Sequence, residues 1–242
     1  MLWCLWVDNP FLMHGFALLE WKEKNHEGAR ALLMRALSFK PRDIVVYQSW
    51  AAMEGEVGNL DTAEVIFKEA YARVPKKKCA ALLQSWGLFE ERRGNPDRAR
   101  LLYLKSIQTD VRHAHAYCAW GIMESKLDKH DRAREIFLRG IRADPWSVHM
   151  LHAWANMEAK LGNNDRAAKL LGECVRIDPS NIQALDRWEK LVASSGGDEA
   201  EAKEQMDYLS DLKQNAERSL QQARDGAAAT EAAPASSTDG EP

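Results

Sequence analysis

The sequence predicts an all-α fold in which helical pairs stack into a right-handed α–α superhelix. Three observations predict it: a string that recurs about every 34 residues, fixed columns of large and small residues within each copy, and Gly-Asn turns between helical segments. The copies align on one aromatic residue each, at Phe16, Trp50, Trp86, Trp120 and Trp154, with a partial copy at Trp188. A helical pair of this length buries its apolar face only by stacking on its neighbours.

Each copy contains two helices, here called the A helix and the B helix, whose packing positions are fixed relative to the aromatic residue. The position thirteen residues later is small in every full copy: Ala29, Ala63, Ala99, Ala133 and Ala167. The position seventeen residues later is large: Leu33, Phe67, Tyr103, Phe137 and Leu171. Small residues let two helices approach closely, and large ones fill the space between repeats.

The turns between the A and B helices carry glycine and asparagine. The strings GNLD, GNPD and GNND place a glycine where the A helix ends, at Gly58, Gly94 and Gly162. The asparagines that follow are predicted to cap the B helices with their side chains: Asn59, Asn95 and Asn163.

The chain divides into four predicted segments. Residues 1–9 are a lead-in or a truncated preceding repeat, and residues 10–195 form five full repeats plus a partial sixth. Residues 198–224 have apolar residues at helical spacing and predict an amphipathic helix that caps the array. Residues 225–242 consist of Ala, Ser, Thr, Pro and acids, which predicts a disordered acidic tail.

Composition and motifs exclude several classes of function. The chain has 242 residues, of which 45% are hydrophobic, and a formal net charge of −3. No apolar run is long enough to span a membrane, so no membrane insertion is expected. Four scattered cysteines and the absence of phosphate-binding, nucleophile or zinc-ligand motifs predict neither an enzyme nor a cofactor or metal site.

Two features of the repeat carry a family resemblance. The helical pair with its small residues and a closing proline resembles the tetratricopeptide repeat (TPR). The Trp-x-x-x-Glu of the A helix and the Ala-Arg of the B helix resemble the half-a-TPR (HAT) variant, which implies a role in RNA processing. The strings AWGIMESK and LQSWGLFEERRGN are more narrowly similar to organellar HAT proteins that mature and stabilise PsbB mRNA.

That resemblance implies a chloroplast location, with the nucleus as the alternative. No transit peptide is visible and the sequence begins directly with a repeat, so we expect the chain to be part of a longer array.

The predicted functional residues lie off the packing columns. Two residues before the aromatic stand His14, Gln48, Gln84, Cys118 and His152, and six residues after it stand Lys22, Glu56, Arg92, Lys126 and Lys160. On the inner wall of a superhelix, amides and imidazoles can reach base edges while cations hold phosphates, which predicts binding of single-stranded RNA. His115 and His149 would extend this surface. The alternative is a solvated helix face.

Other recurring residues have a structural interpretation. The glutamate four residues after the aromatic is predicted to form one ion pair per repeat, with Arg30, Arg100 and Arg134, linking the A helix to the B helix of the same repeat. The aromatic column is predicted to be packing. Two functions therefore stay open: an array that holds a transcript on its concave face, and a scaffold that joins proteins of an RNA-processing complex or associates with itself.

Overall fold

The computed structural model of the chain describes residues 9–194, 210–214, 218 and 221–222. All regular elements among these residues are helices, which confirms the predicted all-α class. They are α1 (Pro10–Lys22), α2 (His26–Phe39), α3 (Ile44–Val57), α4 (Leu60–Arg73), α5 (Ala80–Arg92), α6 (Pro96–Thr109), α7 (Ala114–Lys126), α8 (His130–Ala143), α9 (Val148–Lys160), α10 (Asn164–Ile177) and α11 (Ile182–Ser194). A 3-10 turn at Lys76–Lys78 accounts for the two extra residues of the second repeat.

The helices form two compact units, residues 1–145 and residues 146–242. In the first unit, four A–B pairs (α1–α2, α3–α4, α5–α6 and α7–α8) follow one another, and each B helix contacts the next A helix. Successive A helices of this unit also contact each other. In the second unit α9 pairs with α10, and α10 contacts α11. This is the helical stacking of an α–α solenoid; the right hand of the superhelix stays a prediction.

The predicted glycine turns are confirmed. Gly58, Gly94 and Gly162 have φ values of 91°, 83° and 76°, in the left-handed region that ends a helix and favours glycine. The two remaining full repeats place other residues in this conformation, Lys24 with φ 62° and Asp128 with φ 58°.

The predicted asparagine caps are wrong in their side-chain contacts. Asn59, Asn95 and Asn163 stand at the N-caps of α4, α6 and α10, but their side chains accept no hydrogen bond from those helices. Only Asn25, among the asparagines of these turns, accepts from a helix N–H, that of Gly28 at 3.1 Å.

The packing columns lie where the sequence places them. All five small residues of the B helices and the five large residues four positions later are buried. Trp86 and Trp120 are buried, and the ring of Phe67 stacks on Trp86 of the next repeat, with 5.8 Å between centroids. Phe16 departs from the column because its side chain is 53% exposed.

The C-terminal predictions are only partly within the described residues. Residues 210–214, 218 and 221–222 are helical. Lys213 pairs with Asp186 at 2.5 Å and with Glu189 at 3.2 Å, so this segment contacts α11 as a capping helix should. The predictions for residues 1–8 and for the tail lie outside the described residues. None of the helices in the described ranges has the length and apolar character needed to cross a bilayer.

Candidate functional site

The most regular polar feature is a buried glutamate in four A helices, α3, α5, α7 and α9. Four tryptophan Nε1–H groups donate to the carboxylate one helical turn later: Trp50 to Glu54 at 3.1 Å, Trp86 to Glu90 at 3.1 Å, Trp120 to Glu124 at 2.8 Å and Trp154 to Glu158 at 2.9 Å. All four glutamates are buried. The Trp-x-x-x-Glu pattern is therefore one hydrogen-bonded unit, because residues four apart share a helix face.

The turn asparagines complete this unit. Asn59 donates to Glu54 at 2.8 Å, Asn95 to Glu90 at 3.1 Å and Asn163 to Glu158 at 2.7 Å. The side chain that the sequence predicts as a helix cap thus satisfies a buried carboxylate instead. A buried carboxylate needs such donors because its desolvation is costly.

The predicted Glu–Arg pairs of Arg30 and Arg100 form, but each joins successive repeats and not the two helices of one repeat as predicted. Arg134, the third predicted arginine, pairs with Asp131 at 2.8 Å. Arg30, on α2 of the first repeat, donates to Glu54 on α3 of the second repeat. Arg100, on α6, likewise donates to Glu124 on α7 at 2.7 and 2.9 Å. The pairs therefore link the B helix of one repeat to the A helix of the next.

These contacts set the protonation state of the carboxylates. The guanidinium of Arg30, with Asn59 and Trp50, lowers the pKa of Glu54 below its ordinary value despite burial. Burial alone would raise the pKa of Glu124, but hydrogen bonds from Arg100 and Trp120 outweigh it and lower the pKa. Both carboxylates are thus charged at neutral pH and enclosed by their partners, which suits a structural role.

The second repeat has Glu64 where the first has Arg30. At this junction the B helix therefore supplies the acid and the next repeat supplies the arginines. Glu64 pairs with Arg93 at 2.6 Å and with Arg98 at 2.7 Å, both in the third repeat. Arg98 also approaches Glu90 at 3.3 Å, so one arginine spans the two acids. Hydrogen bonds from Lys68, the largest cause, and from Arg98 lower the pKa of Glu64 to about 2.

The predicted base-reading residues are drawn into contacts with neighbouring repeats. His14 Nε2 lies 2.8 Å from Ser49 Oγ of the second repeat. Gln48 donates to Ser85 Oγ at 2.6 Å and to the Ala81 carbonyl at 3.0 Å, both in the third repeat.

The remaining members of that column differ in their surroundings. Gln84 is half-buried. Cys118 is buried, and burial raises the pKa of its thiol to about 11, so the thiol is protonated at neutral pH. His152 is half-buried beside Asn156, with 3.3 Å between the nitrogens, and burial followed by the charges of Arg187 and His149 lowers its pKa.

The predicted phosphate-binding cations lie on the surface. Lys22, Arg92, Lys126 and Lys160 are exposed, as are His115 and His149. Lys126, however, pairs with Glu91 of the preceding repeat at 2.8 Å, and Glu91 also accepts from the hydroxyl of Tyr103 at 3.1 Å. The ring of His115 packs edge-on against His113 at 5.8 Å between centroids.

Sequence reasoning missed an apolar row between these two columns. It stands two residues after the aromatic, one helical turn from each column. Its members are Leu18, Ala52, Leu88, Ile122 and, in the second unit, Asn156. Leu18 and Ala52 are exposed, and Leu88 and Ile122 are half-buried. Successive A helices of the first unit contact each other, so Leu18, Ala52, Leu88 and Ile122 stand at the same repeat position on contacting helices and are here called the apolar row. The regular place of these residues in each A helix was the sequence signal that could have revealed the row.

The described residues hold no group of three or more side chains that could bind a metal ion. Lys76, in the 3-10 turn at Lys76–Lys78, folds back on the protein: it donates to the Tyr71 carbonyl at 2.5 Å, and its ammonium lies 3.2 Å from the centre of the Tyr71 ring.

Comparison with protein families gives a match. Residues 13–234 match the model of the pre-mRNA-splicing factor Syf1/CRNKL1 C-terminal HAT repeat. Among curated protein sequences none matches the chain significantly.

Solved structures share the fold at low sequence identity. Yeast Tom70 is 16% identical with a TM-score of 0.63, over 76% of this chain and 40% of that one. TTC0263, a TPR protein of Thermus thermophilus, is 16% identical with a TM-score of 0.56, over 76% of this chain and 100% of its own. PilF of Pseudomonas aeruginosa is also 16% identical, with a TM-score of 0.55 over 90% and 92%. At such identities the likeness concerns the fold alone.

Proposed function

Because the chain belongs to the HAT-repeat family of the Syf1/CRNKL1 C-terminal type, we propose that it is a scaffold in an RNA-processing assembly and holds a partner protein along its A helices. The apolar row is the observation that carries this proposal. Exposed aliphatic groups beside a charged edge favour a protein partner, because contact with protein removes apolar surface from water.

The fate of the predicted base readers also supports a protein partner. His14 and Gln48 are engaged by the next repeat, so their polar atoms are less available to base edges. The aromatic column offers little base stacking because Trp86 and Trp120 are buried with their N–H groups bonded to glutamates.

The test replaces apolar-row residues and identifies the proteins that remain bound. Ala52→Glu combined with Leu88→Gln introduces polarity on the row, and Val65→Glu combined with Leu101→Gln does so at exposed apolar positions of the B helices. After nuclease treatment, we expect the first variant to lose the RNA-processing proteins that co-purify with the unmodified chain and the second to retain them. Ala52→Glu alone, at an exposed position, repeats the test if the double variant is destabilised. Identical bound proteins in all variants would contradict the proposal.

Single-stranded RNA is the second candidate ligand, favoured by the exposed cations Lys22, Arg92 and Lys160. In this proposal the array holds an untranslated region of a chloroplast transcript such as PsbB mRNA, protecting it during processing and translation. Purified RNA-free chain should then shift single-stranded RNA in a mobility assay at low salt. Chloroplast import of the tagged full-length protein tests the compartment, and a nuclear signal would support the splicing-type assembly instead.

A further inference from the structure

A cleft lies between the first two repeats, at the C-terminal ends of α1 and α3. Its volume is about 680 Å³, within the range of pockets that bind small ligands or side chains. It is lined by Leu18, Trp21, Lys22, Lys24, His26, Glu56 and Val57. An apolar part and a mostly cationic part thus share one cavity.

Two of the lining residues depart from the repeat. Lys24 has a φ of 62°, at the position where three other repeats have glycine. This conformation is unfavourable for a residue with a Cβ. Asp128, its counterpart in the fourth repeat, lies 3.7 Å from His130. Strained residues of this kind cluster at binding sites, so the lysine points to a function of its side chain.

Trp21 is the second departure. The equivalent residues of the other full repeats are Gly55, Glu91, Ser125 and Ala159. Trp21 is half-buried against the core of the first unit, which leaves part of its indole facing the cleft. His26 also lines the cleft, and its buried Nδ1 atom has no hydrogen-bond partner among the described residues. The equivalent His130 of the fourth repeat has the same feature, so it does not distinguish this cleft.

We propose that this cleft binds a partner peptide in which a large apolar side chain is followed by acidic residues. The apolar side chain packs on Trp21, Leu18 and Val57, and the carboxylates pair with Lys22 and Lys24. Glu56 accepts from a main-chain N–H of the peptide. The proposal rests on the proposed scaffold function, for which it names the chemistry of a partner segment.

Glu56 is the reason for choosing a peptide over RNA. Its carboxylate repels acidic groups of either ligand, but a peptide also supplies main-chain N–H donors that a carboxylate accepts, whereas the phosphates of RNA supply none. The chain's own acidic tail does not fit, because it has no large apolar residue after Gly226.

The test measures fluorescence anisotropy of a labelled Gly-Ser-Phe-Glu-Glu-Ser-Gly peptide with the full chain. Lys24→Gly removes the charge and relieves the backbone strain, so we expect equal or higher thermal stability but two- to fivefold weaker binding, the range of an exposed ion pair. Lys105→Gln, at an exposed lysine of α6, should leave both unchanged. Peptides with Phe replaced by Ala, or both Glu by Gln, should bind more weakly to the unmodified chain.

Three outcomes would overturn the proposal. The first is that the Phe-Glu-Glu peptide does not bind at millimolar concentration, and the second is that the Lys24→Gly variant binds the peptide as tightly as the unmodified chain does. The third is that an oligouridylate binds in place of the peptide and that Lys24→Gly weakens the binding of this oligouridylate. If the peptide does not bind while the apolar-row variant still loses its partners, the cleft proposal fails and the scaffold function stands.

Discussion

Arg30 and Glu54, which belong to successive repeats, are joined by two hydrogen bonds, Nε to Oε1 at 2.5 Å and Nη2 to Oε2 at 2.9 Å. The carboxylate is 1% exposed. Arg100 and Glu124 repeat the arrangement at the same separation along the chain. Because a bidentate pair fixes both distance and orientation, these contacts set the register between repeats as well as neutralising a buried charge.

The first prediction concerns this junction. Arg100→Met keeps an apolar stem but leaves Glu124 buried with fewer donors, so we expect the free energy of unfolding to fall by about 3 kcal/mol. Arg112→Met, at an exposed arginine before α7, should change it by less than about 0.5 kcal/mol. Urea unfolding followed by circular dichroism measures both. Equal losses would show that the pair does not stabilise the junction.

The second prediction concerns the closest approach of two helices. A Cβ on Gly121 would lie 2.7 Å from the ring of Phe137, whereas a Cβ on Gly15 would meet nothing within 4 Å. Gly121→Ala should therefore destabilise the chain by about 1 kcal/mol or more, since overpacking outweighs the gain in helix propensity. Gly15→Ala, in the interior of α1, should stabilise it by up to about 1 kcal/mol.

The repeats themselves suggest the compensating change. At the positions equivalent to Gly121 and Phe137, the first and fifth repeats have Ala17 with Leu33 and Ala155 with Leu171, although the second has Ala51 with Phe67. Adding Phe137→Leu to Gly121→Ala should give a double variant more stable than the sum of the single effects. Strict additivity would mean that the two residues are not coupled.

The helical columns were predictable because burial follows the repeat period, whereas the partner of each arginine was not. Arg30 follows Glu20 by ten residues and precedes Glu54 by twenty-four, and a periodic sequence permits either pairing. Only the stacking of α2 on α3 decides it. Phe16 shows the same dependence, because it has the same place in the repeat as the buried Trp86 and Trp120 but is 53% exposed.

The surface was harder to predict than the core. His14 and Gln48 have the spacing of an exposed polar column, but Ser49 and Ser85 provide partners from the next repeat. Those serines stand one residue before the aromatic, so the pairing had a sequence signal. Lys24 also had a sequence signal, because it stands where three other repeats have a turn glycine.

The third prediction concerns pH. The pKa values of Glu54, Glu124 and Glu64 are lower in the folded chain than their ordinary value, in the last case about 2. Their stabilisation is therefore complete above the unfolded pKa, about 4.3, and is lost as the pH falls toward the folded values. Burial is the largest cause that lowers the pKa of His113 and of His152 in the folded chain. These two groups therefore add a loss of stability that begins as the pH falls below about 6.5.

Urea midpoints between pH 7 and pH 2 measure this dependence. We expect a small decrease down to pH 5 and a steeper one below it. Glu64→Gln should reduce the loss below pH 4 because a neutral amide no longer titrates. A midpoint that is constant from pH 7 to pH 3 would contradict the assigned pKa shifts.

The last prediction tests the RNA candidate through its dependence on salt. If Lys22, Arg92 and Lys160 each neutralise one phosphate of single-stranded RNA, the slope of log affinity against log salt should be near −2, at about −0.7 per contact. Lys22→Ala combined with Arg92→Ala should make it shallower by about 1.4.

Lys126→Ala should change that slope less than the others, because Lys126 is paired with Glu91, and Lys105→Ala is the control for an exposed charge elsewhere. Gln48→Ala should lower stability and not sequence preference, since Gln48 bonds to the next repeat. Absence of binding to single-stranded RNA at low salt would contradict the RNA candidate, because exposed cations act most strongly when screening is weak.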